Sequence, residues 1–261
     1  MSDSNIVIAA LYQFKPLTGL LDIKAQLKAL CRTHQIKGTL LLANEGINGT
    51  VAGAREGIDL LKHYLQSTLA FSHLEYKESF SDTMPFVRLK IKLKEEIVTL
   101  GLPDINPAVD AGTYVDAPTW NTLIQDPEVY VLDTRNTYET DIGSFKNAHI
   151  PNTENFRDFP EHVNTTLDPQ KHKKIAMYCT GGIRCEKASA MMRKAGFETV
   201  YHLKGGILKY LEDTPEAESQ WTGDCFVFDA RVAVDHQLNP SQYTQCYGCR
   251  HPLTEQEAAD L

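Results

Sequence analysis

The chain has 261 residues, of which 42% are apolar and 23% charged, with 16 glycines and 12 prolines. This is an ordinary globular composition, and it excludes a disordered, collagenous or low-complexity chain. The formal net charge of -8 argues against an indiscriminate nucleic-acid binder, but residues 1–100 hold 12 Lys and Arg against 10 Asp and Glu, and the remainder holds 14 against 24. A polyanionic partner is therefore expected at the first hundred residues, because electrostatic steering follows local charge.

The apolar runs and the cysteines indicate in which cellular compartment the protein is expected. No apolar run approaches the roughly 20 residues that span a bilayer, and the early run at 6–11 lacks the basic lead of a signal peptide. We therefore expect a cytoplasmic protein without membrane contact. Six cysteines occur, at positions 31, 179, 185, 225, 246 and 249. In that compartment they indicate thiol chemistry or metal binding rather than a disulfide framework.

Strand and helix patterns alternate along the first hundred residues. Apolar and β-branched runs predict strands at 6–14, 38–43, 50–52, 74–80 and 87–93, with a turn at Asn48-Gly49. Two helices are predicted by apolar residues at positions 23, 27, 30 and 31 and at positions 58, 61 and 65. The order β-α-β-β-α-β plus one strand is typical of a ferredoxin-like sandwich. We therefore expect an α+β domain over residues 1–100.

The rest of the chain shows a different pattern. Residues 101–113 contain two Pro and two Gly without periodicity, which predicts a linker. Short hydrophobic runs at 129–133, 174–179 and 200–203 then alternate with helical segments, as in an α/β domain with a parallel sheet. This domain is expected over 114–218, with reactive groups at the carboxyl ends of its strands. Residues 219–261 form a cysteine-containing extension.

The most informative segment is a cysteine at the end of a predicted strand, followed by two glycines and a helix. Cys179 starts it, and the remaining loop residues are Thr180, Gly181, Gly182, Ile183 and Arg184. The glycines allow successive N–H groups to converge, and the helix start adds its positive dipole end. Such a cradle lowers a thiol pKa. The pattern favours a catalytic Cys179 over one more buried strand-end cysteine.

Two neighbours of Cys179 leave alternatives open. Arg184 either supplies positive charge to the sulfur or turns away to an acidic surface residue. Cys185 is either a resolving thiol that attacks sulfur carried on Cys179 or a small packed residue, and packing is favoured. The spacing Cys-x4-Arg is one residue shorter than the Cys-x5-Arg cradle of protein tyrosine phosphatases, so a phosphate would have one residue too few around it.

Residues 114–213 resemble a rhodanese domain. The matching pieces are Val131-Leu132-Asp133-Thr134-Arg135, Tyr138-Glu139, Ala148-His149-Ile150-Pro151, the loop from Cys179 to Arg184, and Leu203-Lys204-Gly205-Gly206. In that family the first cysteine of the loop carries a persulfide, and the resemblance places this role on Cys179. Asp133 and Arg135 are expected to fix neighbouring loops by hydrogen bonds. His149 is expected to be a packed turn residue rather than a base.

The whole chain resembles a narrower family, the rhodanese-containing tRNA uridine hydroxylases. The matching strings are LLANEGINGTVAG at 41–53, Pro85-Phe86-x-Arg88-Leu89-Lys90, Lys94-Glu95-Glu96-Ile97-Val98-Thr99, the cysteine loop through Lys187, and Cys225-Phe226-Val227-Phe228-Asp229. The resemblance implies an acylphosphatase-like first domain before the rhodanese domain. It also implies an oxidoreductase that converts uridine 34 of tRNA to 5-hydroxyuridine with molecular oxygen as cosubstrate. The anticodon loop would be held by both domains, and the electron donor is unknown.

A basic stripe near the end of the first domain is a candidate tRNA-binding surface. Arg88, Lys90, Lys92 and Lys94 alternate with apolar residues, so a strand here would carry four cations on one face. Four cations can bind several RNA phosphates. The alternative is a protected sheet edge, since Lys commonly blocks edge strands. The resemblance favours RNA binding.

The C-terminal extension contains three cysteines that are candidate zinc ligands, and the sequence shows no motif for a redox cofactor. Cys225, Cys246 and Cys249 form Cys-x20-Cys-x2-Cys, half of which has zinc-knuckle spacing, with His236, His251 or solvent as the fourth ligand. Zinc binding and metal-free packing both remain open. Oxygen insertion normally uses a metal, flavin or other redox cofactor. The sequence shows neither a Gly-x-Gly-x-x-Gly motif nor a convincing two-His-one-carboxylate set.

Three functions therefore compete. The leading one is a tRNA-modifying enzyme in which Cys179 takes part as thiolate or persulfide and the target base is splayed out of the loop. The second is a plain sulfurtransferase, which needs only the rhodanese half. The third is a non-catalytic RNA-binding module, against which the intact Cys179 and its glycines count.

Overall fold

The structure is a computed structural model that describes residues 6–102 and 104–260. The chain divides into two compact units, Met1–Thr99 and Leu100–Leu261. Among the described residues, none of the helices has both the length and the apolar character needed to cross a bilayer.

The first unit is one sheet covered by helices. Its strands are β1 (Ile6–Phe14), β2 (Lys37–Ala43), β3 (Gly46–Gly53), β4 (Glu75–Ser81) and β5 (Leu89–Leu93), and its helices are α1 (Leu20–Thr33) and α2 (Arg55–His63), the latter continued by a π-helical turn at Tyr64–Thr68. The sheet order is β4-β1-β3-β2-β5, and β5 pairs with β2 in parallel while the other pairs are antiparallel. The predicted ferredoxin-like arrangement with one added strand is confirmed.

Both helices pack their apolar faces onto this sheet. Ile23, Leu27 and Cys31 recur along α1 at the spacing of one helix face and are buried. They join a core that includes Leu40 of β2 and Val51 of β3. The predicted helix positions are therefore correct, because the apolar period identifies the face that is buried.

The predicted turn at Asn48-Gly49 is wrong. Both residues lie inside β3, which is a central strand paired on one side with β1 and on the other with β2. The turn falls at Asn44-Glu45, since Ala43 and Gly46 face each other across the hairpin. Asn-Gly is a strong hairpin signal in isolation, but here pairing on both edges keeps the segment extended.

The second unit contains a parallel sheet and smaller antiparallel pairs. Its strands are β6 (Thr113–Val115), β7 (Val129–Asp133), β8 (Gly143–Phe145), β9 (Lys174–Tyr178), β10 (Thr199–Leu203), β11 (Trp221–Gly223), β12 (Cys225–Phe226), β13 (Ala233–Val234), β14 (Thr244–Gln245) and β15 (Pro252–Leu253). Its helices are α3 (Pro107–Asp110), α4 (Ala117–Leu123), α5 (Thr137–Thr140), α6 (Phe159–Thr166), α7 (Ile183–Lys194), α8 (Gly206–Asp213) and α9 (Glu255–Ala259), with 3-10 turns at Phe156–Asp158 and Glu216–Glu218.

The main sheet of this unit runs β6-β10-β9-β7, with every pair parallel. β7 and β9 are adjacent, so their carboxyl ends, at Asp133 and Tyr178, lie side by side. The backbone N–H and the hydroxyl of Thr134 both donate to the Tyr178 carbonyl at 3.0 Å. The parallel sheet thus brings the loops after both strands together, as expected for an α/β domain.

The segment predicted as a linker is attached to the second unit. Its α3 packs against α7, and the backbone N–H of Gly112 donates to the Ser189 hydroxyl at 2.8 Å. Arg193 donates to the carbonyl of Ala111 at 2.8 Å. Its irregular composition reflects a packed loop with one helical turn.

Candidate active site

The cysteine loop connects β9 to α7 at the carboxyl edge of the parallel sheet. Cys179 directly follows the last residue of β9 and is completely buried. The N–H of Gly182 donates to Cys179 Sγ at 3.1 Å, and Gly182 has a φ of 98°. This left-handed conformation lets the chain turn back on the sulfur before α7 begins at Ile183. The cradle expected from the glycine pair is present.

The first turn of α8 binds the backbone carbonyls of the cysteine loop. The N–H groups of Ile207 and Leu208, in the first turn of α8, donate to the carbonyls of Cys179 and Thr180 at 3.0 and 3.1 Å. A side chain at Gly206 would place a Cβ 2.4 Å from the Cys179 carbonyl oxygen. Only glycine permits this approach, which explains the glycine at position 206.

The thiol of Cys179 is strongly acidified. Burial by itself would raise its pKa, but the Cys185 thiol hydrogen bond, the Arg184 charge and the backbone N–H groups of Cys185 and Arg184 act in the opposite direction. Together they lower the pKa of Cys179 from 9.0 to about 5. Cys179 is therefore a thiolate at neutral pH, which is the nucleophilic form of cysteine.

Cys185 has the opposite character. It is completely buried in the first turn of α7. Burial, the hydrogen bond with Cys179 and the negative charge of Cys179 raise the pKa of Cys185 well above 9.0. It therefore stays protonated and donates its hydrogen bond to the Cys179 sulfur. The structure brings the two cysteines together, and this hydrogen bond gives Cys185 a place in the site whether or not it also attacks sulfur.

Arg184 is held by the carboxylate of Glu139, a residue that belongs to the rhodanese-like pieces but had no predicted role. Its Nη1 and Nη2 donate to Glu139 Oε2 and Oε1 at 2.5 and 2.7 Å, and Glu139 is completely buried. The Thr180 hydroxyl also donates to Glu139 Oε1, at 3.2 Å. Burial opposes ionisation of Glu139, but the charge and hydrogen bonds of Arg184 keep its pKa below the usual value. Arg184 thus pairs with a buried carboxylate and also acidifies Cys179.

Glu139 also caps the helix that carries it. Its Oε2 accepts the N–H of Asn136 at 3.1 Å, completing a capping box at the start of α5. The sequence signal was the pair Asn136 and Glu139 at the spacing of a capping box. Only the structure shows that the same carboxylate binds the arginine of the cysteine loop.

Asp133 and Arg135 form a second buried ion pair beside the first. Arg135 Nη2 lies 2.7 Å from Asp133 Oδ2, and both side chains are completely buried. The same guanidinium donates to the carbonyls of Glu139 and Gly143 at 3.0 and 2.7 Å. The pair fixes the loop after β7 by hydrogen bonds. His149 is exposed and stacks on Tyr130 with ring centroids 3.8 Å apart.

An exposed aromatic ring adjoins the loop from the extension. Phe228 is 59% exposed, and its ring centroid lies 5.9 Å from the Arg184 guanidinium carbon. Phe226 is buried and contacts both Phe228 and Tyr138 edge to face. The string Cys225–Asp229 is part of the resemblance to the hydroxylase family, but no pattern in it predicts that its aromatic rings lie beside the cysteine loop.

The tail cysteines do not form one metal site. Cys225 is buried in the core of the second unit, whereas Cys246 is half-buried and Cys249 exposed beside the β14–β15 pair. The described residues contain no group of three His, Cys, Asp or Glu that could hold a metal. The structure therefore does not bring Cys225, Cys246 and Cys249 together as a group of metal ligands among the described residues. Hydrogen bonds from the backbone N–H groups of Cys249 and Gly248 lower the pKa of Cys246.

The four stripe cations lie at and around β5, which is an edge strand of the first sheet. Arg88 and Lys94 flank the strand, and Lys90 and Lys92 lie within it, on either side of the buried Ile91. Arg88, Lys92 and Lys94 are exposed or partly exposed and Lys90 is half-buried. An edge position is compatible both with RNA binding and with edge protection.

Two stretches of the chain match known family models. Residues 117–213 match the Rhodanese-like domain, so the fold and the cysteine loop define a rhodanese-type domain with a catalytic-cysteine architecture. Residues 6–97 match the UPF0176 acylphosphatase like domain. The pairing of an acylphosphatase-like domain with a rhodanese domain confirms the predicted fold class and is consistent with the UPF0176 rhodanese family.

Solved structures resemble one domain at a time. The rhodanese-like domain of an Anabaena sp. protein is 22% identical, with 42% of this chain and 78% of that chain covered and a TM-score of 0.35. A rhodanese-related protein from Thermoplasma volcanium is 24% identical, with 40% and 95% covered and a TM-score of 0.33. An acylphosphatase from Coxiella burnetii is 13% identical, with 35% and 100% covered and a TM-score of 0.29.

Proposed function

We propose that this protein is a tRNA-modifying enzyme that hydroxylates uridine 34 to 5-hydroxyuridine, with Cys179 as its reactive thiol. The observation that carries the catalytic part is the acidified Cys179, buried in a backbone cradle with a hydrogen bond from Gly182 and a pKa of about 5. The RNA part is supported by the sequence strings shared with the tRNA uridine hydroxylases and by the cations at the edge strand β5.

The cradle suits a sulfur that alternates between thiolate and persulfide. The Cys179 thiolate can attack the outer sulfur of thiosulfate, forming a persulfide anion as sulfite leaves with the bonding electron pair. The N–H of Gly182 and the start of α7 stabilise the anionic sulfur in either form. Arg184 stays fixed by Glu139 throughout, so its charge is preorganised.

Hydroxylation at C5 of uridine has a fixed stoichiometry. One atom of molecular oxygen replaces the C5 hydrogen as a hydroxyl group, and the other leaves as water after uptake of two electrons and two protons from an external two-electron donor. For this chemistry the residues of the loop supply an anionic sulfur held in place by hydrogen bonds and a fixed cation. The base must reach the loop unstacked, as bases in single-stranded RNA loops commonly are when proteins bind them.

The test is mass spectrometry of tRNA nucleosides from cells with and without the protein. We expect 5-hydroxyuridine to disappear when the gene is deleted and to return with the wild-type chain but not with Cys179→Ser. Unchanged 5-hydroxyuridine in the deletion strain would contradict the proposal. Purified protein, unmodified tRNA and oxygen with a reductant provide the matching assay in vitro.

A second candidate function is sulfur transfer to a small acceptor. The Cys179 cradle supports this function, because the reaction needs only an acidified thiol and no RNA surface. In that case cyanide would take the outer sulfur of the persulfide, releasing thiocyanate and restoring the thiolate. Loss of thiolated nucleosides in the deletion strain, with 5-hydroxyuridine intact, would favour this function over hydroxylation.

A further inference from the structure

A groove between α1 and β5 is lined mainly by cations. The groove has a volume of about 340 Å³. Its lining residues are Lys24, Lys28 and Arg32 from α1 and Leu89, Lys90, Ile91 and Lys92 from β5. Five of the seven are positively charged, and the two apolar residues come from the strand.

The helical period explains how three of these cations reach one groove. Lys24, Lys28 and Arg32 follow one another at four-residue spacing, so they share one side of α1. Each stands one position after a buried residue of the core-facing side, namely Ile23, Leu27 and Cys31. The cations therefore flank the face that α1 packs on the sheet. Because β5 is the edge strand, no further strand of the described chain covers that side of the sheet.

These five cations also lack acidic partners. Within residues 6–102 and 104–260, no ion pair joins Lys24, Lys28, Arg32, Lys90 or Lys92 to a carboxylate. Elsewhere in the same unit, Arg55 binds both Asp59 and Glu78. Like charges four residues apart destabilise a helix. The groove therefore concentrates positive charge whose mutual repulsion an anionic ligand would relieve.

We propose that the α1–β5 groove binds consecutive phosphates of an RNA backbone. This extends the candidate RNA surface from the β5 stripe to α1, and it rests on the proposed function for the identity of the RNA as tRNA. A concave groove with cations on both walls admits a single polyanionic strand. A flat anionic bilayer would contact its rim alone, which disfavours a membrane surface as the ligand.

The decisive variant removes two exposed cations of α1, as K28Q/R32Q. The matched control is K62Q/K77Q, which removes the same charge from α2 and β4. β4 is the opposite edge strand of the sheet, and Lys62 lies over the Tyr76 ring there. The full-length chain is titrated with an unmodified tRNA transcript at several salt concentrations. Thermal unfolding of each variant checks that its fold is intact.

If each removed cation neutralises one phosphate, counterion release gives a factor of about 5 to 8 per phosphate at 0.1 M salt. We therefore expect K28Q/R32Q to weaken tRNA binding about 25-fold or more. The magnitude of its salt slope should fall by about 1.4 to 1.8. K62Q/K77Q should bind with nearly wild-type affinity and slope. Equal weakening in both doubles, or none in K28Q/R32Q, would overturn the groove as a binding site.

Two further measurements distinguish a failure of the groove proposal from a failure of the proposed function. Vesicles of phosphatidylserine and phosphatidylcholine test the other polyanionic surface, and loss of vesicle binding in K28Q/R32Q with tRNA binding unchanged would overturn the RNA proposal. Nucleoside analysis tests the proposed function independently. If 5-hydroxyuridine formation fails in the wild type but K28Q/R32Q still loses RNA affinity, the groove stands and the reaction assignment falls. If the wild type forms 5-hydroxyuridine but the variant binds normally, the groove alone is refuted.

Discussion

The cysteine loop and the α1–β5 groove use positive charge in opposite ways. In the loop, Arg184 is bound by the buried Glu139, and beside it Arg135 is bound by the buried Asp133. In the groove, cations such as Lys28 are exposed and have no carboxylate partner among the described residues. Charges that are buried and paired hold a fixed geometry and are little affected by salt, whereas exposed unpaired charges attract mobile anions and are screened. The first arrangement suits chemistry, and the second suits binding.

The strongest test of this division removes the reactive sulfur. We expect Cys179→Ser to lower activity at least about 100-fold, because the hydroxyl cannot ionise near neutral pH. tRNA binding should remain within about twofold of wild type, since the groove lies in the other unit. Nucleoside mass spectrometry and tRNA titration measure the two effects. The control is Cys31→Ala, a buried cysteine whose pKa burial raises to about 12; it should keep full activity per folded molecule. Activity retained by Cys179→Ser would refute the thiol mechanism.

The next test compares a buried ion pair with an exposed one. Glu139→Gln leaves the Arg184 charge buried without its partner, which should reduce the free energy of unfolding of the second unit by about 3 kcal/mol. Glu78→Gln removes one of the two carboxylate partners of Arg55, which is half exposed, and should cost less than about 1 kcal/mol.

Urea unfolding followed by tryptophan fluorescence measures the first effect, because Trp120 and Trp221 both lie in the second unit. Circular dichroism follows the first unit in the control. Equal losses in the two variants would mean that burial does not distinguish the pairs.

A smaller effect is expected when the hydrogen bond between the two loop cysteines is removed. Cys185→Ala deletes a donor to the Cys179 thiolate, so the Cys179 pKa should rise above about 5 and activity should fall roughly tenfold, less than in Cys179→Ala. Thiolate absorbance against pH, taken as the difference from Cys179→Ser, measures the shift. Equal losses in Cys179→Ala and Cys185→Ala would instead support a resolving role for Cys185.

The sign of the accompanying pH effect follows from linkage. The Cys179 pKa is lower in the folded protein than its usual 9.0, so the thiolate stabilises the fold most above pH 9. This contribution is lost as the pH falls from about 9 through about 5. The stability difference between the wild type and Cys179→Ser should therefore shrink over that range, and a difference that grew on acidification would contradict a lowered pKa.

The last test concerns the two cations within β5. K90Q/K92Q should weaken tRNA binding across sequences and reduce the salt slope by somewhat less than one for each single-stranded phosphate that is no longer neutralised. Sulfur transfer from thiosulfate to cyanide should stay unchanged, because the proposed sulfur chemistry lies at Cys179 in the second unit. Filter binding and a cyanide assay run side by side test both statements. An unchanged slope and affinity would identify β5 as a protected sheet edge.

Features that depend on local sequence were predictable, whereas contacts between distant residues were not. Strand β1 was predictable from its continuous apolar and β-branched run, and helix α1 from the apolar period that marks its buried face. Cys179 was predictable because its glycines and helix follow in sequence. The Asn48-Gly49 turn was predicted wrongly because pairing with two strands overrides a local signal. The partner of Arg184 lies 45 residues away at Glu139. Helix α1 packs directly against β5, a strand distant in sequence that pairs in parallel with β2. Such relations depend on tertiary structure, which local patterns do not encode.

The complete burial of Cys179 affects which molecules can react with it. A sulfur atom with no exposed surface discriminates by shape, so slender groups such as the terminal sulfur of thiosulfate are favoured over bulky disulfides. Formation of a persulfide changes the position of the reactive atom, because the added sulfur–sulfur bond places the terminal sulfur about 2 Å beyond Cys179 Sγ. The terminal sulfur of the persulfide would then lie nearer the loop surface, while the Cys179 sulfur stays buried.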